Sequence, residues 1–139
     1  NNVQLGKHGR NRTNVWEYPG VNTLDPDRKS DLQFHPTVKP VALCADAIRD
    51  VSHRGDVVLD PFLGSGTTLL AAERTGRRCA GLELSPPYCD VIVRRWEDLT
   101  SKEAVREADG ATFATRAAAR DAETSNNQRD DGGDHDETA

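Results

Sequence analysis

Two carboxylates and a glycine-rich turn hold the clearest chemistry in this sequence. Asp60 opens Asp60-Pro61-Phe62-Leu63-Gly64-Ser65-Gly66-Thr67-Thr68, and Glu83 follows 23 residues after Asp60. Glycines flanking Ser65 allow a tight turn, so that its backbone N–H groups and the N-terminus of a following helix can face a bound molecule. A nucleoside-triphosphate loop needs Lys and then Ser or Thr after its glycines, whereas Thr67, Thr68 and Leu69 stand here. A dinucleotide turn needs a third glycine where Leu69 stands, and Asp60 would repel a pyrophosphate. Asp60 suits a cofactor with a cationic or amino-bearing part.

Glu83 adds the second anchor. A carboxylate at the end of the strand after the turn can accept both hydroxyls of a ribose. Together the two acids and the glycines favour an adenosine-bearing cofactor without pyrophosphate, of which S-adenosylmethionine is the usual one. Plainer roles stay open: Asp60 could cap its own loop, and Glu83 could form a surface ion pair with Arg77 or Arg78. Upstream, His35-Pro36-Thr37-Val38-Lys39-Pro40 stands before a helical pattern. Thr37 can cap that helix, and Lys39 can reach a ligand carboxylate. His35 has no Cys or second His at ligand spacing, which argues against a metal.

The elements that must position these groups follow from periodicity. Val41, Cys44, Ala45, Ile48 and Val51 recur at spacings of three and four, predicting an amphipathic helix over 40–51 with Pro40 in its first turn. The run Val57-Val58-Leu59-Asp60 predicts a short strand, Thr67 to Thr75 a helix closed by Gly76, and Cys79 to Glu83 a second strand. Pro86 and Pro87 open a further helix with Tyr88, Ile92 and Trp96 on one side. This is a βαβα unit whose strands read as parallel and buried on both faces. The fold class is therefore α/β, part of a doubly wound Rossmann-like sheet that two strands alone leave incomplete. Val15, Trp16 and Tyr18 suggest another strand, stopped by Pro19-Gly20.

Composition bounds the rest. The chain has 139 residues, 35% hydrophobic and only 5% aromatic, with a formal net charge of -5. Such a chain allows one small domain, with part of its length outside any core. Three cysteines, Cys44, Cys79 and Cys89, form no CxxC pair, which argues against a disulfide framework and favours a reducing, cytoplasmic setting. No apolar run exceeds five residues, against roughly 20 for a membrane span. Residues 121–139 hold seven acids and a single base, Arg129, with no branched aliphatic or aromatic side chain. They are expected to be a disordered acidic extension, and the Ala-rich part of 101–120 a frayed helix. The chain lacks Met and begins Asn-Asn-Val, as expected of a processed protein or a piece of a longer one.

Three segments resemble the DNA amino-methyltransferases that modify adenine N6 or cytosine N4, specifically the permuted, beta-type group that carries its catalytic half first. HPTVKP at 35–40 is similar to their helix-entrance motif, LDPFLGSGTT at 59–68 to their cofactor loop, and GLELSPPY at 81–88 to their second-strand acidic motif. The order and spacing match as well. GRNRTNVWEYPGVN at 9–22 also resembles the stretch that precedes the first motif, and the similarity runs to about Glu107.

The resemblance implies that residues 1–34 end a target-recognition or connecting region. Residues 35–107 would form an S-adenosylmethionine-binding subdomain and 108–139 a poorly ordered tail. Asp60, Pro61, Phe62, Gly64, Ser65, Gly66 and Thr67 would meet the cofactor, and Glu83 its ribose. Leu84 and Ser85 would border the adenine, while His35, Pro36, Thr37 and Lys39 would shape the methionine end. The family holds a flipped target base with a strand-end (D/N/S)PP(Y/W) motif. Ser85-Pro86-Pro87-Tyr88 carries those letters but follows Glu83 at once, where the family begins a helix, so no catalytic residue is assigned to this chain. The resemblance places the catalytic motif before residue 1, together with most of the surface for double-stranded DNA. Lys7, Arg10, Arg12 and Arg28 could add phosphate contacts. A cofactor-binding remnant needing a separate catalytic half is the alternative, and a dehydrogenase-like nucleotide binder is disfavoured by the missing third glycine.

Overall fold

The first helix begins at a proline. In the computed structural model, which describes residues 15–18 and 39–130 (124–130 by backbone only), α1 spans Val41–Val51 with Pro40 as its N-cap. The Pro40 carbonyl accepts the Leu43 and Cys44 N–H groups, at 3.1 and 3.4 Å. The N-cap position is Pro40; Thr37, expected to cap this helix, lies three residues upstream, outside the described residues. The expected apolar stripe buries Ala45 and Ile48 and half-buries Val41 and Cys44, while Val51 is left exposed.

Strand β1 (Val57–Asp60) runs parallel to β2 (Arg78–Gly81), with Val57 opposite Arg78 and Asp60 opposite Gly81. The crossover between them is α2 (Thr67–Thr75). Gly76 closes α2 in the left-handed region at φ 71°, which glycine adopts without a Cβ penalty. Gly55 N–H donates to the Gly76 carbonyl at 2.8 Å. Arg77 ties the ends of both helices together, with Nε to Ser52 Oγ at 3.1 Å and Nη1 to the Thr75 carbonyl at 2.6 Å. Ala45 and Ile48 of α1 pack with Ala71 and Ala72 of α2, against Val58 and Cys79 from the sheet. Helix α3 (Pro86–Thr100) starts at Ser85 with prolines in its first turn, as expected, and buries Ile92. Tyr88 and Trp96 are half-buried.

Several expectations need correction. The strands are not buried on both faces: side chains alternate along a strand, so Val58 and Cys79 meet the helices while Val57 and Leu59 are 56% and 71% exposed. A continuous apolar run shows that a strand is suited to double burial but not that both covers are present. Strand β2 ends at Gly81, so Glu83 sits two residues beyond it, although Leu82 N–H still donates to the Asp60 carbonyl at 2.9 Å. Val15 to Tyr18 form no strand; Tyr18 instead donates its hydroxyl to the buried carboxylate of Asp46, which Arg49 also binds at 2.9 Å.

The chain falls into two compact units, dividing after Ser101. In the second unit Val105 bridges Thr112 in antiparallel fashion around a turn closed by the Arg106–Asp109 ion pair. Thr112 Oγ1 then accepts the Thr115 N–H at 3.3 Å, and α4 runs over Phe113–Asp130. The helix extends as far as Asp130 into the acidic stretch from 121. Polarity forbids a core there, but a capped, Ala-rich segment forms a helix without one. Residues 131–139 lie outside the described residues.

Candidate functional site

The β1–α2 loop owes its shape to its own acids and glycines. Asp60 Oδ1 accepts the Phe62 N–H at 3.0 Å, so the loop-capping role weighed for Asp60 is present. Leu63 N–H reaches the Leu82 carbonyl, and Gly66 N–H reaches the Leu63 carbonyl, both at 2.9 Å. Glu83 spans two segments: Oε2 accepts the Gly64 N–H and Oε1 the Ser85 N–H, each at 2.8 Å. Gly64 and Gly66 both have positive φ, at 56° and 82°. A Cβ on Gly66 would also lie 3.2 Å from the Ile92 side chain. From α3, Arg95 Nη1 donates to the Ser65 carbonyl.

This loop walls a cleft whose lining includes Lys39, Asp60, Phe62, Gly64, Ser65 and Thr67, all singled out from the sequence, together with Cys44, Leu63 and Thr68. Ser65 and Thr67 are buried, their hydroxyls 3.4 Å apart. Phe62 and Leu84 are 87% and 96% exposed, so their faces are open to a flat ligand. Pro61 is exposed, Gly66 is buried against α3, and Glu83 and Ser85 reach the loop through the hydrogen bonds just described. His35, Pro36 and Thr37 lie outside the described residues. Burial pushes the Cys44 thiol up, with Asp60 adding to the rise and Lys39 opposing it; burial and then Asp60 do the same for Cys79. Both thiols therefore stay protonated at neutral pH, and Cys44 presents a neutral wall.

Sequence reasoning missed Cys44, whose place on the apolar face of α1 marked it only as core. It also missed Arg95, for no motif links a helix residue to a turn 30 positions earlier.

The profile of the N6_N4 DNA methylase family matches residues 2–94. The chain belongs to that family. Among curated members of this DNA methylase family, the Type II methyltransferase M.ScaI of Streptomyces caespitosus is 39% identical over 89 residues, 64% of this chain and 29% of its own length. The DNA adenine methyltransferase YhdJ of Escherichia coli K12 is 39% identical over 95 residues, 68% of this chain and 31% of its own. The chain thus spans less than a third of either relative. TTHA0409 of Thermus thermophilus, solved with S-adenosyl-L-methionine, is 41% identical, with a TM-score of 0.43 over 52% of this chain and 27% of that one.

Proposed function

We propose that this chain is the cofactor-binding portion of a cytoplasmic methyltransferase acting on the exocyclic amino group of adenine (N6) or cytosine (N4) in double-stranded DNA. The observation that carries the reading is the cleft in which Lys39 and Asp60 stand beside the Gly64–Gly66 turn. A cation and a carboxylate on one cleft match the two charges of an amino-acid moiety, Lys39 taking the carboxylate and Asp60 the ammonium. Thr67 and Thr68, at the N-terminus of α2, add backbone donors on the carboxylate side. Glu83, whose two oxygens accept the Gly64 and Ser85 N–H groups, is held at the edge of the loop as the acceptor for the ribose hydroxyls. Phe62 and Leu84 supply apolar faces for an adenine, and Ser85 and Pro61 border it. The donor set fits S-adenosylmethionine, which when bound supplies the sulfonium methyl that the target amino group takes. His35, Pro36 and Thr37 complete the methionine end in this reading.

The same reading assigns no base-binding group to this chain. The uncovered sheet face formed by Val57, Leu59 and Leu82 supports completion of the sheet by polypeptide beyond these residues, which would bring the catalytic motif and most DNA contacts. Calorimetric titration with S-adenosylmethionine and with NAD tests the cofactor. Binding of the former alone is expected; binding of NAD alone would overturn the assignment. In a tritiated-methyl transfer assay on unmethylated genomic DNA, this chain by itself is expected to be inactive. Incorporation well above a no-protein control would return Ser85-Pro86-Pro87-Tyr88 to consideration as a base-binding motif.

A further inference from the structure

Glycine turns do not enforce their own geometry. Gly64 and Gly66 can each populate either sign of φ at little cost, so the turn keeps its place only if the peptides on either side of Gly64–Ser65 are held. The structure shows both of these peptides held at both edges. In the Leu63–Gly64 peptide, the carbonyl accepts the Gly66 N–H and the N–H donates to Glu83. In the Ser65–Gly66 peptide, the N–H donates to the Leu63 carbonyl and the carbonyl accepts Arg95 Nη1. Peptide units are planar, so these bonds fix the two planes that flank the Gly64–Ser65 unit and with them the place of the turn in the cleft wall. These are three hydrogen bonds: one joins the two peptides to each other, one comes from Glu83 and the third comes from α3.

We propose that Arg95 is a positioning residue for the cofactor, acting through the turn by holding the Ser65 carbonyl so that the Gly64–Gly66 turn keeps its place along the cleft. The proposal rests on the reading of this turn as the cofactor loop. Ile92, one helical turn before Arg95, presses on Gly66 from the same side and is buried. Apolar contact thus sets how close the turn lies to α3, and the guanidinium sets its rotation. The donor is a guanidinium, and charge-assisted bonds are roughly twice as strong as neutral ones. Trp96 Nε1 donates to Glu73 Oε2 at 3.3 Å, fixing α3 to α2 so that Arg95 has a rigid base.

The test uses the 139-residue chain with Arg95→Ala, Arg95→Lys and, for comparison, Arg94→Ala on the exposed side of the same helix. Amide hydrogen exchange without ligand is expected to be about ten-fold faster at Gly66 in Arg95→Ala, intermediate in Arg95→Lys and unchanged in Arg94→Ala. The S-adenosylmethionine dissociation constant is expected to rise by a similar factor, with lysine restoring part of it. Unchanged Gly66 exchange and parental affinity in Arg95→Ala would overturn the proposal. So would a rise in exchange spread evenly over the sheet in both Arg95 variants, since that reports general loosening. If Arg95→Ala unfolds, Arg95→Lys decides by the same exchange measurement. If the parent chain binds no S-adenosylmethionine, the cofactor reading fails, while Gly66 exchange still decides whether Arg95 holds the turn.

Discussion

Replacing Glu83 with alanine removes one carboxylate but releases two segments. The Gly64 and Ser85 N–H groups both lose an acceptor at 2.8 Å, so the turn and the start of α3 loosen together. Hydrogen bonds to a charged group contribute roughly 1.5 to 3 kcal/mol each, which puts the pair at about 3 kcal/mol from the lower figure. Glu83 is half-buried, and water recovers part of that, leaving about 1.5 kcal/mol, or roughly ten-fold in the opening equilibrium of the turn. In urea this lowers the unfolding midpoint by roughly 1 M. Loss of the ribose acceptor adds to it, so S-adenosylmethionine affinity should fall by about ten-fold to a hundred-fold. Glu83→Gln should recover at most one of the two backbone bonds, because its amide nitrogen cannot accept an N–H. Urea unfolding followed by circular dichroism, amide exchange at Gly64 and calorimetric titration read the three effects separately. Parental values for Gly64 exchange and urea midpoint in Glu83→Ala would refute the bridging role. Loss of both with parental affinity would refute the ribose role alone.

Three other outcomes follow from the same geometry. Gly66→Ala places a Cβ at φ 82° and 3.2 Å from Ile92, so a loss of about 1 to 2 kcal/mol in urea stability is expected. Cys44 and Cys79 should react slowly with iodoacetamide at pH 8. Their folded values lie above the ordinary 9.0, so the stability they contribute is present below that pH and lost as pH rises through the folded values, which alkaline unfolding curves will show. The Asp109 carboxyl is held well below its ordinary 3.8, first by the Arg106 side-chain bond and then by the Ala111 N–H. Its contribution is present above 3.8 and disappears as pH falls toward the lower folded value, so a carbon-detected titration should find its midpoint below that of a free aspartate, and Arg106→Ala should raise it most of the way toward the ordinary value, the Ala111 N–H still holding it down.

Much of the first unit was legible because its signals are local. Pro40, Gly76 and Ser85-Pro86-Pro87 mark helix ends by what they do to the backbone at their own positions, and α1, α2 and α3 start or stop within a residue of them. Six of the residues singled out from the sequence also line one cleft, five of them from a single contiguous segment. What depended on partners distant in sequence was not legible. Whether Val57 and Leu59 are covered depends on what packs against them, which no run of apolar letters records. Glu83 reads as a ligand acceptor, yet its bond to Gly64 crosses 19 positions. The Ala-rich start of α4 was legible, but its continuation past 120 was read as tail because low hydrophobicity was weighed and the cap at Thr112 was not.

Ala71 and Ala72 have no exposed surface, and they are the residues against which α1 rests. Helix separation is set by the side chains at the crossing, so these two methyl groups act as a gauge block between α1 and α2. Lys39 precedes α1 by two residues and Thr67 begins α2, which makes the width of the cleft between them a readout of that gauge. A valine at either alanine would work like a shim, lifting the Lys39 end away from the turn without touching a ligand. Affinity could then be tuned from inside the core, by volume alone, at positions that a screen confined to cleft-lining residues would never sample.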